Sequence, residues 1–230
     1  MHVKNEGTPI LQVLCGSRAY GLNDETSDYD YHGVYVVPTS RLLSLNVNIK
    51  ETSWIEGEEQ DNTAWELGHF LRLATHCNPT ILETFVAPVV VSNEYGDELR
   101  QLFPYVLKRK AVFDAFRGYA SNQRKKMFEP HGEDKERRMA KAAVAYLRSL
   151  YHGKMLLIDG TYQTWIADGD LRAALLDIKK NPNFDKGKVI NLADELEHSL
   201  ELAYYSSSVP EESNVDKVNE FLLKVRRECW

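Results

Sequence analysis

Cys15, Cys77 and Cys229 are the three cysteines of the 230-residue chain, too few and too scattered for a disulfide framework or a zinc ribbon. His76-Cys77 has no partner pair at ligand spacing, so no metal–thiolate site is expected there. No apolar run approaches the roughly eighteen residues that a membrane span needs. The opening residues, Met1-His2-Val3-Lys4-Asn5-Glu6, lack the apolar stretch of a signal peptide, and the closing ones do not form a prenylation box. Internal repeats are absent, as are low-complexity tracts beyond Ser206-Ser207-Ser208. Together these absences lead to the expectation of a soluble, cytoplasmic chain with no membrane partner.

What is present bounds the answer further. Apolar residues make up 43% of the chain and charged residues 27%, which excludes disorder as its main state. The net charge of −6 is unevenly spread. Residues 1–107 hold 6 basic and 15 acidic side chains, residues 108–154 hold 13 and 5, and residues 155–230 hold 9 and 14. An acidic head beside a basic middle suits cation ligands in one segment and phosphate ligands in the other, although charge runs are most often solvated helix faces.

Along the chain, strand signals fall at 10–15, closed by Gly16, and at 29–37, closed by Pro38, with weaker extended segments at 46–54 and 58–62. Thr63-x-x-Glu66 has the form of a capping box that opens a helix, and Asn78-Pro79 reads as the start of another through Ala87. From Asn93 onward the periodicity predicts helices alone, over 94–107, 110–128, 134–158, 168–180, 187–206 and 213–228. The layout predicts an N-terminal α/β domain over 1–107 and a helical domain over 108–230.

The chemistry concentrates between Leu14 and Gly33. Gly16-Ser17 follows a buried strand signal. Without a Cβ at Gly16 a phosphate can approach the backbone, while Ser17 adds a hydroxyl and Arg18 a charged fork. Asp28 follows Ser17 by eleven positions, and Asp30 lies two beyond it at the head of a strand signal. Alternate strand residues share a face, so the two carboxylates repel unless a cation lies between them. Hard oxygen donors of this kind suit Mg²⁺ or Mn²⁺. Neither Gly-Ser nor Asp-x-Asp is specific alone; their conjunction carries the reading.

Gly16-Ser17-Arg18-Ala19-Tyr20-Gly21-Leu22, Ser27-Asp28-Tyr29-Asp30 and Gly33-Val34-Tyr35 resemble the DNA polymerase β superfamily of nucleotidyltransferases, and within it the RNA repair pathway polymerase β family. The stretch from Trp65 to Leu73, Asn78-Pro79-Thr80, Leu82-Glu83, Gly118-Tyr119-Ala120, Gln123 and Lys126-Met127 are similar to that family too. The resemblance implies an α+β nucleotidyltransferase domain, a small mixed sheet flanked by helices, followed by an all-helical region closing the nucleotide cleft. It further implies transfer of a nucleoside monophosphate from an NTP to an acceptor hydroxyl, an RNA end among the candidates, by two metal ions held on Asp28 and Asp30. The superfamily usually adds a third carboxylate from a later strand. Asp61 is the candidate for it, with Glu58, Glu59 and Glu66 in competition. Glu51 and Glu56 read as solvated loop charges.

On the helix at 134–158, Arg137, Lys141, Arg148 and His152 fall within a sector of roughly 60°, opposite an apolar stripe through Ala140, Ala143, Val144, Leu147, Leu150 and Tyr151. The basic sector is expected to bind the triphosphate, Lys141 resembling the superfamily's triphosphate-binding lysine, and Arg124, Lys125 and Lys126 to extend it towards a polynucleotide or to face water. His32 reads as a hydrogen-bonded strand histidine, Tyr20-Gly21 as a loop-shaping pair, Trp54 and Trp65 as core or cleft walls, and Tyr204-Tyr205 as helix packing. Two other readings stay open: adenylylation of a protein or small molecule, and non-catalytic nucleotide binding. Base preference and oligomeric state are not encoded legibly.

Overall fold

A computed structural model describes residues 7–45, 62–181 and 183–230, together with the backbone of 52–54. The elements run β1 (Thr8–Cys15), α1 (Gly16–Tyr20), β2 (Asp30–Val36), α2 (Thr39–Leu42), β3 (Thr52–Trp54), β4 (Thr63–Glu66), α3 (Leu67–Thr75), α4 (Pro79–Val86), β5 (Val89–Ser92), α5 (Glu94–Gln101) and α6 (Phe103–Val106). Helices α7 (Arg109–Phe128), α8 (Lys135–Asp159), α9 (Gly169–Lys180), α10 (Lys186–Ser206) and α11 (Val215–Glu228) complete the chain. The chain divides into two units, Met1–Leu107 with Ser213–Trp230, and Lys108–Glu212. The fold is α+β at the N-terminus and helical beyond it, and α11 groups with the first unit instead of the helical one.

Among the described residues, five strands form one mixed sheet in the order β3-β4-β2-β1-β5. β1 pairs antiparallel with β2 and β5, β2 parallel with β4, and β3 antiparallel with β4. Ile10, Leu11, Val13 and Cys15 are all buried, and Gln12 is only 9% exposed, so β1 is interior on both faces. A row of rings, Trp65–Phe70–Phe85–Phe103, links β4 to α3, α4 and α6, with centroids 5.0–6.3 Å apart.

Several boundaries differ from the sequence expectation. Thr63–Glu66 is a strand, not the first turn of a helix. Its Ala64 and Trp65 are buried between β2 and β3, and that pairing outweighs the cap-like pattern. Glu66 caps α3 by itself, its carboxylate accepting from the Gly68 amide at 2.7 Å. The expected helix at 94–107 breaks at Leu102 into α5 and α6, with Pro104 in the first turn of the second. Val89–Ser92, unassigned by pattern, is an edge strand with Val89, Val90 and Val91 about half exposed. Of the segments expected to be extended at 46–54 and 58–62, the described parts are β3 and Asn62; the rest lies outside the described residues.

Helix α11 is anchored by one buried ion pair. Arg226 donates to the Glu66 carboxylate at 2.6 Å, their side chains 16% and 7% exposed, and to the Val37 carbonyl at 3.4 Å. Thr39 adds two bonds, from its hydroxyl to the Arg226 carbonyl and from its amide to the Cys229 carbonyl at 2.8 Å. Removing one partner of such a pair leaves a buried charge and costs about 3–5 kcal/mol. Glu66 is thereby accounted for twice, as a cap and as an ion-pair partner. Among the described residues no helix is long and apolar enough to cross a membrane.

Candidate active site

The Gly-Ser motif sits where β1 turns into α1. Gly16 has φ +68°, the left-handed region, and a Cβ built on it would collide with the Asp30 carboxylate. Glycine is therefore required twice over, for the turn and for the contact. The sheet register explains the contact, because Cys15 at the end of β1 pairs with Asp30 at the start of β2. Asp30 is half-buried. Asp28 precedes the strand, is exposed, and takes part in no hydrogen bond or ion pair among the described residues. Ser17 is half-buried, and its carbonyl closes α1 by accepting from the amides of Gly21 and Leu22.

Arg18 faces the loop leading to the two aspartates. Its guanidinium donates to the Ser27 carbonyl at 2.8 Å and lies 3.8 Å from the centre of the Tyr29 ring, which brackets Asp28. Behind it the loop is tied by Asp24, whose carboxylate accepts from the Thr26 amide and from the hydroxyls of Thr26 and Ser27. In this structure Arg18 shapes the aspartate loop.

A second set of contacts comes from α4, which opens at Asn78 with its side chain accepting from Thr80 and Ile81 amides. Glu83 is 3% exposed, and the Tyr20 hydroxyl lies 2.8 and 2.9 Å from its two oxygens. The next residue, Thr84, bonds the His32 ring at 3.1 Å through its hydroxyl, and His32 meets the edge of Trp65. Burial, with the Glu83 and Asp30 carboxylates close by, pushes the Cys15 thiol well up, so it stays neutral. Sequence reasoning gave Glu83 no role. The available signal was that Tyr20 and Glu83 both lie in stretches similar to the family, and the fold joins them.

The donor set fits a hard divalent cation: an exposed carboxylate at Asp28, and one at Asp30 seated on a bare Cα. Among the described residues no cluster of three or more His, Cys, Asp or Glu suits a metal. Asp61, Glu58 and Glu59 lie outside the described residues, as do Glu51 and Glu56. Asn62, the neighbour of Asp61 in sequence, accepts from the Tyr31 amide at 3.0 Å through its side chain, one residue from Asp30.

The basic residues of α8 belong to the second unit. Arg137 and Lys141 are exposed and Arg148 is half-buried. His152, expected on the same face, is instead buried at 2% exposure, because the segment after α8 folds over it and brings the Tyr162 hydroxyl to 3.3 Å from its Nδ1. Arg124, Lys125 and Lys126 are exposed at the end of α7. Trp65 is a core wall, and the side chain of Trp54 lies outside the description. Tyr204 packs on Phe113 at 4.9 Å, whereas Tyr205 is 81% exposed.

The chain matches the RNA repair pathway DNA polymerase beta family over residues 2–224. It belongs to that family. Membership supports a nucleotidyltransferase type of function. A curated relative, the uncharacterized protein YcgL of Bacillus subtilis (strain 168), is 31% identical over 107 residues, which cover 44% of this chain and 40% of the relative. The chain thus matches well under half of that relative's length.

Proposed function

We propose that this protein is a metal-dependent nucleotidyltransferase that moves a nucleoside monophosphate from an NTP to an acceptor hydroxyl, with an RNA end as the acceptor. The observation that carries the reading is the seat of Asp30 on Gly16, with Asp28 exposed two residues earlier. A module that only bound a partner would have no use for a carboxylate seated against a Gly-Ser turn with a second one two residues earlier in the chain. Asp28 and Asp30 would hold both of two divalent cations, Mg²⁺ or Mn²⁺, and Asp61 would join them at the cation nearer the acceptor. Bound there, the cations supply charge neutralisation at the triphosphate and lower the pKa of the acceptor hydroxyl. Gly16 and Ser17 receive the phosphates at the turn, and Arg18 keeps the aspartate loop in shape. On the second unit, Lys141, Arg137 and Arg148 are the candidates for phosphate binding, a role of positioning and charge compensation. The RNA acceptor draws on the family's description and on the basic balance of residues 108–154.

The test is incubation with each α-labelled NTP and Mg²⁺ or Mn²⁺, in the presence of total RNA, total protein and metabolite pools. Label is expected in RNA; label in protein or small molecules would move the acceptor to those classes. Nucleotide binding without pyrophosphate release over all pools would make the protein a non-catalytic binder. Asp28→Ala and Asp30→Ala are each expected to lower transfer by about a thousandfold with thermal unfolding unchanged. Near-normal transfer by either variant would overturn the assignment.

A further inference from the structure

Two stretches with no assigned role in the reaction, Tyr20 at the end of α1 and Glu83-Thr84 on α4, are joined to each other and to the aspartate strand. Helix α1 spans only Gly16–Tyr20, a length that does not hold its shape alone, because helix nucleation is unfavourable over so few residues. Its start is set by covalent continuity with β1. Its end is set by the burial of Ala19 and by the Tyr20 hydroxyl, which meets both oxygens of Glu83 at 2.8 and 2.9 Å. One phenol proton shared between two carboxylate oxygens at these distances makes a short, bifurcated bond that holds the Tyr20 ring against Glu83. Burial of Glu83 keeps water from competing for it.

The neighbouring Thr84 reaches a different element. Its hydroxyl bonds the His32 ring at 3.1 Å, two residues along β2 from Asp30, and also donates to the Thr80 carbonyl of its own helix at 2.9 Å. Consecutive residues of one helix thus grip the two pieces of backbone that meet where Gly16 lies under Asp30. Helix α4 is itself fixed, by the Asn78 cap at one end and the Phe70–Phe85–Phe103 rings along its buried face. It can therefore transmit rigidity to both.

We propose that Glu83 and Thr84 are positioning residues for the transfer site, Glu83 holding the Gly16-Ser17 turn through Tyr20 and Thr84 holding the Asp30 strand through His32. This rests on the nucleotidyl-transfer reading and adds a division of labour. The turn receives the triphosphate, so loosening it weakens nucleotide binding. The strand carries a cation ligand, so loosening it slows the chemical step. A merely structural pair would raise KM and lower kcat together.

The experiment compares full-length wild type with Tyr20→Phe, Glu83→Gln and Thr84→Val. Amide hydrogen exchange at Gly21 and Leu22, which bond to the Ser17 carbonyl, reads the turn directly, without any substrate. Tyr20→Phe is expected to raise exchange there about tenfold, raise the NTP KM about tenfold and leave kcat within threefold. Glu83→Gln keeps an acceptor oxygen for Tyr20 and is expected to show a smaller change, about threefold in KM. Thr84→Val is expected to lower kcat about fivefold with KM unchanged. Unaltered exchange in Tyr20→Phe would overturn the latch. Raised exchange without a change in KM, or KM raised and kcat lowered in equal measure for both Tyr20→Phe and Thr84→Val, would overturn the positioning role. Wild type that neither binds nor turns over Mg·NTP would overturn the nucleotidyl-transfer reading and the positioning role with it, while exchange would still decide the latch.

Discussion

The polar residues around Gly16 and those along α8 are held by opposite means. Near Gly16 three side chains have named partners: Arg18 has the Ser27 carbonyl and the Tyr29 ring, Tyr20 has Glu83, and His32 has Thr84. On α8, Arg137 and Lys141 stand exposed, with no side-chain partner among the described residues. The first arrangement has already met its ordering cost on folding, whereas a long basic side chain gives up as much as about 2 kcal/mol of rotamer freedom when a ligand immobilises it. One region sets geometry to fractions of an ångström; the other offers charge that adapts and that salt screens.

The sharpest way to break this contrast is Gly16→Ala. The new methyl meets the Asp30 carboxylate, and a non-glycine residue at φ +68° carries strain of about 1–3 kcal/mol. Transfer is expected to fall about a hundredfold, since displacement of a reacting group by an ångström has that scale of effect. Thermal unfolding is expected to drop by roughly 2–10 °C. Transfer within threefold of wild type would show that the corner tolerates slack. Lys141→Ala probes the other region. The expected loss is about tenfold, confined to KM and shrinking as salt rises, because an exposed cation acts through a screened field. A loss that fell on kcat and ignored ionic strength would mean that Lys141 is held as tightly as the corner residues.

The same contrast explains what could be read in advance. The need for glycine at position 16 was legible because a strand that turns at once into a helix favours a residue without a Cβ. Asp28 and Asp30 were singled out by their residue type and spacing. The unit of strands before helices was legible for a similar reason, from periodicity. Three features were not. The strand at Thr63–Glu66 exists because β2 and β3 flank it, a pairing that its own cap-like pattern does not reveal. Glu83 looks like one more charge on an amphipathic helix until the fold brings Tyr20 to it across 63 positions. Arg18 looked like a phosphate fork because its type allows it, and its observed partners lie in a loop whose shape only the tertiary structure reveals.

His152 shows where the reading of a helix face ends, and its protonation offers the finest test. By angle it belongs with Arg137, Lys141 and Arg148, but Tyr162 covers it and Tyr151 lies alongside. Burial first, then the Arg148 charge, hold its pKa well below 6.5, with a backbone bond at Thr164 opposing them. The folded protein therefore keeps this imidazole neutral, while the unfolded chain takes up a proton as pH falls through about 6.5. The stability it lends is complete above that pH and erodes below it, by about 1.4 kcal/mol per pH unit for one proton. Denaturant unfolding between pH 7.5 and 5 is expected to show a steeper acid loss in wild type than in His152→Asn, the curves converging by about 2 kcal/mol between pH 6.5 and 5. The variant should begin lower at pH 7.5, having lost the imidazole's packing between the two tyrosine rings. Parallel curves would mean that His152 takes up its proton alike in the folded and unfolded chains, and that its burial does not hold the imidazole neutral.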